Sequence, residues 1–352
     1  MNQPVTYDEI RRQPAAWETT INSLGGERER LLSFFRDTAP REVIFTGCGT
    51  SYYLSIAAAS FFQEQTGILS RAIPASDVML HPRSVITESP ALVIGLSRSG
   101  NTTELVRALR EVRKRGLARC LAVTSNPSGR SVQAAEQFII LPHIREQSVV
   151  MTGSFTNMLF ALQLFAAWVS RDETLLGELR QLPRLGEAGI LEADELARTL
   201  GGDLRFNHMI YLGLGAYFGL ASEGMLKMKE MTQVFSEAFN PLEFRHGPIS
   251  VIRGGCRVFL LSRRSTRPYD RDLAEDLRRH GADVVVLGEG LDGFSADHKL
   301  DLAPGLSDGS RALLYMPFLQ LTAYHRTLKM GLDPDRPRNL NPVVVLDDDK
   351  GE

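Results

Sequence analysis

The chain has 352 residues, a formal net charge of −2 and 43% hydrophobic residues. This length predicts either one large α/β unit or two domains of similar size. The small net charge gives no electrostatic sign of nucleic-acid or anionic-membrane binding. Any site for an anion must therefore be built from locally oriented groups.

The positions of the cysteines and the lengths of the apolar segments indicate the cellular compartment of the protein. The cysteines Cys48, Cys120 and Cys256 lie far apart in or beside apolar strand-like runs. They fit no CxxC spacing, which indicates reduced, buried thiols. The first residues lack the apolar core of a signal peptide, and the longest apolar segments fall short of the roughly 20 residues that a membrane span needs. We expect a cytoplasmic protein with no membrane partner.

The first half of the sequence predicts strands that alternate with helices. A helical lead-in over residues 1–38 precedes them. The predicted elements are a strand from Glu42 into a glycine turn, a helix at 52–63, strands at 71–75 and 91–96, a helix at 104–113, strands at 120–124 and 138–141, and a helix at 152–169. This alternation predicts a mostly parallel sheet flanked by helices on both faces.

The pattern restarts after a charged helical connector at 191–199. One strand-like segment ends in a second G-x-G turn at Gly213, and another ends in a Ser-containing turn at Ser262. The offsets from the matching turns of the first half are 213 − 47 = 166 and 262 − 97 = 165. Two chance matches would not agree so closely in register. We expect two copies of one α/β module, over residues 39–190 and 191–352.

Two hydroxyl-rich turns follow strands of the first module, Gly-Cys-Gly-Thr-Ser at 47–51 and Ser-Arg-Ser-Gly-Asn-Thr at 97–102. Ligands of an open parallel sheet bind beyond the carboxyl ends of its strands, and each turn precedes a helix N-terminus that favours an anion. The alternative for the second turn is a helix capping box from Asn101 to Glu104. After its G-x-G the second copy has Ala216-Tyr217 in place of Thr50-Ser51, and this loss of the Thr and Ser hydroxyls favours a phosphate site in the first.

The second copy carries charged residues at helical spacing. Glu223, Lys227 and Glu230 fall on one helix face, which predicts either a solvated charged surface or a functional cluster. His246 ends a long polar stretch, 236–248, that we interpret as a loop. A loop histidine is usually a surface residue. Here a carboxylate base and a group that titrates near neutral pH would suit sugar enolisation.

Taken together, five motifs resemble those of the tandem sugar isomerase (SIS) family. They occur in family order from about residue 40 to the C-terminus. The matching segments are 47–51, 97–102, the helix 223–230 with Ser236-Glu237-Ala238, 243–248, and the tail 333–340. The resemblance implies two tandem SIS modules and an enzyme that isomerises or deaminates an amino-sugar 6-phosphate.

The resemblance also implies residue roles. Phosphate contacts would come from the side chains of Ser51, Ser97, Ser99 and Thr102 and from the backbone N–H at Arg98. The sugar pocket would be lined by Gly49, Thr50, Val149 and Thr152. Glu230 would move a proton between C1 and C2, Lys227 would lie near the sugar, and His246 would open the ring, in a neighbouring subunit's site. The resemblance implies a homodimer with shared sites, a sugar-phosphate ligand, and neither a metal nor a cofactor.

Two departures from the family pattern leave the reaction open. Asn2 follows Met1 where glutamine-using relatives have a cysteine nucleophile, so we expect isomerisation or hydrolytic deamination rather than glutamine-driven synthesis. Pro342 stands where the family places a Schiff-base lysine, and a proline within a chain has no free amine. The alternatives are a fructosamine-6-phosphate deglycase and a non-catalytic sugar-phosphate binding protein.

Overall fold

The computed structural model describes residues 3–344 and 346. Its helices are α1 Val5–Arg11, α2 Gln13–Gly25, α3 Arg28–Thr38, α4 Thr50–Thr66, α5 Ala75–Leu80, α6 Pro82–Val85, α7 Thr103–Lys114, α8 Arg130–Ala134, α9 Gly153–Ser170, α10 Glu173–Leu179, α11 Leu182–Gly202, α12 Ala216–Thr232, α13 Pro241–Phe244, α14 Arg267–Arg279 and α15 Asp308–Lys329. Its strands are β1 Glu42–Gly47, β2 Leu69–Pro74, β3 Ala91–Leu96, β4 Arg119–Thr124, β5 Gln137–Ile140, β6 His208–Leu212, β7 Phe235–Phe239, β8 Cys256–Leu261, β9 Asp283–Gly288 and β10 His298–Asp301.

The described chain divides into two compact units, each assembled from several stretches. Unit A comprises residues 16–146, 153–176 and the described residues from 341 onward, and unit B comprises 3–15, 147–152 and 177–340. The sheet of unit A has the strand order β2-β1-β3-β4-β5, and that of unit B has the order β7-β6-β8-β9-β10. All neighbouring strands of both sheets are parallel. The predicted fold class, two α/β modules with parallel sheets flanked by helices, is confirmed.

The two modules repeat each other in backbone detail. Gly49 precedes α4 with φ 55° and ψ −125°, and Gly215 precedes α12 with φ 62° and ψ −126°. Both helices are 17 residues long. A Cβ at Gly47 would lie 2.7 Å from the Cβ of Ser51, and one at Gly213 would lie 2.2 Å from the carbonyl oxygen of Tyr217. Glycine at these places lets each helix begin directly against the strand that precedes it.

Apolar burial explains why these segments form the predicted elements. Every residue of β1, β3 and β8 is buried, as expected for central strands covered on both faces. The apolar face of α7 contributes Leu105, Val106, Leu109 and Val112 to the core. No helix in residues 3–344 is long and apolar enough to cross a membrane.

Three sequence predictions need correction. The stretch 236–248 is not a loop throughout, because it contains most of β7 and all of α13. β7 is an edge strand paired only with β6, so its half-exposed polar pattern is compatible with a strand. The strand predicted at 71–75 begins at Leu69, and Ala75 already starts α5. Cys120 and Cys256 are buried free thiols, but Cys48 is only partly buried.

An acidic side chain, Glu289, holds two arginines just after β9. Its Oε1 accepts from Arg264 Nη2 at 2.7 Å and from the Gly305 N–H at 2.6 Å, and its Oε2 accepts from the fully buried Arg311 at 2.8 Å. The bond from Arg264 is the main cause that lowers the pKa of Glu289 to about 2, against the opposing effect of burial. The ionised carboxylate is therefore part of the folded structure.

A Glu289→Gln variant should be less stable than the parent at neutral pH. A depressed pKa in the folded state contributes stability above the unfolded pKa, and that contribution is lost as the pH falls through the folded value. We expect the free energy of unfolding to drop by about 2–3 kcal/mol at pH 7, since the buried Arg311 loses one of its two carboxylate partners. Urea unfolding from pH 7 down to pH 2 measures it. A difference that stays constant over this range would contradict the assignment.

Candidate active site

The two hydroxyl-rich turns of unit A lie at one edge of its sheet. Ser51 is in the first turn of α4, directly after β1, and Ser97 directly follows β3. Because β1 and β3 are parallel neighbours, their carboxyl ends meet at this edge. The structure therefore brings together the two turns that the sequence predicts as phosphate-binding.

The turn at 97–102, which we call the phosphate turn, has its hydroxyls linked to one another. Ser97 Oγ lies 3.1 Å from Thr102 Oγ1 and 3.5 Å from Ser99 Oγ. The Gly100 N–H donates to Ser97 Oγ at 3.0 Å. Gly100 itself has φ 66°, and a Cβ there would lie 2.9 Å from the Cα of Gly129. The turn is compact, with its hydroxyls gathered at the start of α7.

The capping-box alternative for the phosphate turn is wrong. The residue that precedes α7 is Thr102, and its side chain accepts no capping hydrogen bond. The Asn101 N–H, which Glu104 would have to bind in a capping box, donates to Ser99 Oγ at 3.1 Å. The first helical bond runs from the Val106 N–H to the Thr102 carbonyl. In the described part of the chain, the N-cap side chain thus does not cap the N–H groups at the start of α7, an arrangement that suits an external anion.

The backbone carbonyl and the side chain of Arg98 have different partners. Its carbonyl accepts from Thr124 Oγ1 at 3.1 Å and from Ser125 Oγ at 2.8 Å, which fixes the peptide plane. Its guanidinium pairs with Glu146 at 3.2 Å, and the side chains are 14% and 2% exposed. Glu146 is held in turn by the N–H and hydroxyl of Ser154. The guanidinium of Arg98 is thus engaged by Glu146 within unit A.

Glu146 is a partner of the candidate site, through Arg98, that the sequence analysis did not select. The signal that could have found it is an arginine inside a serine-rich turn, because a largely buried guanidinium needs a carboxylate partner. Glu146 is the only acidic residue between Glu136 and Asp172, but it lies 48 positions from Arg98, so the sequence alone does not pair the two.

The matching turn of unit B is occupied by the protein's own carboxylate. Asp270 of α14 is buried, and its Oδ2 accepts from Ser262 Oγ at 2.7 Å and from Thr266 Oγ1 at 2.5 Å. Burial raises the pKa of Asp270, and the two hydroxyl bonds act in the opposite direction. With the repeat offset, 270 − 165 = 105, and unit A has Leu105 at that place. The turn of one module thus holds an internal carboxyl group where the other has an apolar residue.

In unit B, the helix α12 carries a buried charge cluster. Lys227 Nζ lies 3.3 Å from Glu223 Oε1 and 2.5 Å from Glu230 Oε2. Glu223 and Lys227 are 0% exposed and Glu230 is 20% exposed, so the solvated-surface interpretation is wrong for the first two. Burial alone would lower the pKa of Lys227, but the two carboxylates outweigh it and raise the pKa. Lys227 is therefore an ammonium that holds the exposed end of the cluster, Glu230, in place.

His246 lies on the surface, just beyond α13. The Asn240 side chain caps this short helix, and buried Phe244 anchors it. The His246 N–H donates to the Glu243 carbonyl at 3.0 Å. Within residues 3–344 its imidazole makes no hydrogen bond or ion pair, with Glu230 or with any other residue.

The predicted pocket-lining residues fall in two places. Gly49 and Thr50 belong to unit A at the start of α4, whereas Val149 and Thr152 belong to unit B, the unit of Lys227 and Glu230. The Val149 N–H donates to the Asp335 carbonyl at 3.1 Å, and the Thr152 carbonyl accepts from Gln320 Nε2 at 3.2 Å. The segment 147–152, which we call the pocket loop, is thus bound by residues far away in sequence.

The tail reaches the phosphate turn within unit A. The Pro342 carbonyl accepts from Arg98 Nη2 at 3.4 Å, and the Leu346 N–H donates to Thr103 Oγ1 at 3.2 Å. Pro342, which stands in the sequence where the family pattern has a lysine, therefore places its main-chain oxygen near Arg98.

Comparison with known proteins assigns the chain to a family. The model of the SIS domain matches residues 38–167 and again 205–325. The chain belongs to the SIS domain family and matches its model twice, once in each half. Glutamine–fructose-6-phosphate aminotransferase (isomerizing) of Pseudomonas aeruginosa is 28% identical over 96% of this chain. The chain spans only 58% of that relative's length.

Two further similarities cover nearly the whole of both proteins. D-galactosamine-6-phosphate deaminase AgaS of Escherichia coli is 29% identical over 94% of this chain and 91% of its own. The crystal structure of glucosamine-6-phosphate deaminase from Thermotoga maritima superimposes with a TM-score of 0.80 at 27% identity, covering 97% of this chain and 99% of that one.

Proposed function

We propose that this chain converts an amino-sugar 6-phosphate of the glucosamine-6-phosphate type, as an aldose–ketose isomerase or deaminase. The observation that carries the proposal is the uncapped, hydroxyl-lined start of α7, whose counterpart in unit B is filled by the Asp270 carboxylate. An external oxyanion such as a sugar phosphate suits the corresponding place in unit A. The names of the deaminases described above support the same ligand class.

Phosphate binding would fix the substrate. The proposed contacts are the hydroxyls of Ser51, Ser97, Ser99 and Thr102 and the backbone N–H of Arg98. Gly49, Thr50, Val149 and Thr152 would line the sugar. Binding energy from the remote phosphate then serves to hold C1 and C2 against the reacting carboxylate.

Proton transfer is assigned to Glu230. Lys227 holds Oε2 of Glu230, so Oε1 is the oxygen that takes the proton from one carbon and returns it to the other. The intermediate is an enediol or an enolamine. For deamination, water replaces the amino group and ammonia leaves. His246 would assist at the ring oxygen or at the departing group, since imidazole gives and takes protons near neutral pH.

The exposed position of His246 supports a homodimer. A catalytic imidazole with no side-chain partner in the described part of its own chain suits a site completed by the neighbouring subunit. We place this dimer in the cytoplasm, in keeping with the free thiols at Cys48, Cys120 and Cys256.

A second candidate activity is a fructosamine-6-phosphate deglycase, which Pro342 favours. No amine is available at this position to capture a sugar carbonyl. A substrate that is already an open-chain ketosamine would not need that capture.

Ammonia release and product NMR on a small substrate panel test the proposal. The panel contains glucosamine 6-phosphate, galactosamine 6-phosphate, a fructose-amino-acid 6-phosphate and unphosphorylated glucosamine. We expect turnover of an aldosamine 6-phosphate, with kcat/KM for glucosamine lower by about a hundredfold or more, because the phosphate supplies the positioning energy. Activity on the fructosamine compound alone would reverse the ranking, and no turnover of any compound would contradict both candidates.

A matched pair of serine variants locates the phosphate. Ser97→Ala removes a hydroxyl from the phosphate turn and should raise KM roughly tenfold or more, the usual effect of losing a hydrogen bond to a charged group. Ser262→Ala removes the corresponding hydroxyl from the Asp270-filled turn and should leave KM unchanged. Equal effects of the two substitutions would place the phosphate elsewhere.

A further inference from the structure

The first helix of the chain holds the pocket loop through a buried carboxylate. Glu9 lies on α1 and is 2% exposed. Its Oε1 accepts from the Gln147 N–H at 2.5 Å and from the Ser148 N–H at 3.3 Å, and its Oε2 accepts from Ser148 Oγ. The exposed Arg12 lies 3.8 Å from Oε1. A buried carboxylate requires such donors, and here two of them are main-chain groups of the loop.

The other end of the pocket loop is held by two buried amides. Gln13 Nε2 donates to Gln320 Oε1 at 2.7 Å, and Gln320 Nε2 donates to the Thr152 carbonyl at 3.2 Å. Both glutamines are fully buried. These two hydrogen bonds, from Gln13 to Gln320 and from Gln320 to Thr152, therefore hold the last residue of the pocket loop. Glu9 holds the first two residues of the loop in the same way.

A third connection closes the arrangement. The Val149 N–H, in the middle of the loop, donates to the carbonyl of Asp335. The carboxylate of Asp335 accepts from the Val5 N–H at 3.0 Å and from the Thr6 N–H at 2.9 Å, at the start of α1. Helix α1, the pocket loop and residue 335 thus fix one another within unit B. Displacing any one of them breaks main-chain bonds to the others.

We propose that Glu9 and Gln13 are positioning residues that set the pocket loop for the sugar. This inference rests on the proposed function, because it assigns the loop to the sugar part of a sugar 6-phosphate. Neither residue touches the reacting atoms. They act through the pocket loop: Glu9 binds the two residues before Val149, and Gln13 reaches Thr152 through Gln320. The loop belongs to the same unit as Lys227 and Glu230.

A Glu9→Gln variant is the direct test, since an amide NH₂ cannot accept from the donors that face it. Hydrogen exchange of the Gln147, Ser148 and Val149 amides should accelerate at least tenfold, while exchange in α12 stays unchanged. In wild type, added glucosamine 6-phosphate should protect the loop amides and inorganic phosphate alone should not. In the variant this protection should weaken, KM should rise at least tenfold, and inhibition by inorganic phosphate should be unaltered.

Matched variants separate positioning from general damage. Asp8→Asn removes an exposed carboxylate from the same helix and should match wild type in all readouts. If Glu9→Gln fails to fold, Ser148→Ala replaces it as the test. This variant removes only one bond to Glu9 and should show a milder form of the same changes. Unchanged amide exchange, or faster exchange with unchanged sugar protection and KM, overturns the inference. A wild type that shows sugar-specific protection without turnover overturns the proposed function and leaves the positioning role standing.

Discussion

A Glu230→Gln variant should bind the sugar 6-phosphate with nearly unchanged affinity and turn it over about 10²–10⁴-fold more slowly, the range expected for removal of a general base. The phosphate turn is untouched by this change. The substituted side chain is the partly exposed end of the α12 cluster, so its replacement leaves no new buried charge. The effect should therefore appear in kcat and not in KM.

Two measurements check this expectation. Steady-state kinetics gives the separate effects on kcat and KM, and NMR in deuterated water follows exchange at C2 of the substrate. Glu275→Gln is the matched control, because Glu275 is an exposed glutamate that pairs with Arg279 on a helix of the same unit. Retention of C2 exchange in Glu230→Gln at the parent rate would remove Glu230 as the base.

The tandem repeat could be predicted because its evidence is local and occurs twice. Each module begins with a fully buried strand and a G-x-G turn, and the close contact at Gly47 and Gly213 forbids a side chain in both. Because the offsets between two pairs of matching turns agree, at 166 and 165 residues, they also determine how the two modules align in sequence. The strand β7 was missed because an edge strand has one neighbour and keeps polar residues, so its pattern is that of a loop.

The candidate site could be predicted only in part. The hydroxyls of the phosphate turn are adjacent in sequence, and their chemistry follows from residue type. The roles of Glu9 and Glu146 depend on contacts between residues far apart in the chain, such as that from Glu9 to Ser148. Likewise, the charges of α12 have the spacing of a surface ion pair, and only the packing around them shows that Lys227 is buried.

The burial of Lys227 leads to the largest expected loss of stability. A Lys227→Met variant keeps the volume of the side chain but leaves the carboxylate of Glu223 buried without its counter-charge. Breaking a buried ion pair in this way costs about 3–5 kcal/mol, far more than the loss of a surface pair. Lys229→Met, at an exposed position of the same helix, should change the unfolding free energy by less than about 0.5 kcal/mol.

A double variant and a pH series show whether the cost comes from the uncompensated charge. Adding Glu223→Gln to Lys227→Met removes the buried negative charge and should restore a large part of the lost stability, because a neutral amide is far cheaper to bury than a carboxylate. In Lys227→Met alone, Glu223 can avoid this cost by taking up a proton, so the deficit should shrink as the solution is acidified. The parent keeps its ammonium across this range, since the pKa of Lys227 is raised. Strict additivity of the two substitutions, or a deficit independent of pH, would mean that packing rather than charge makes Lys227 necessary. Glu230 would then have to be held in place by something other than Lys227.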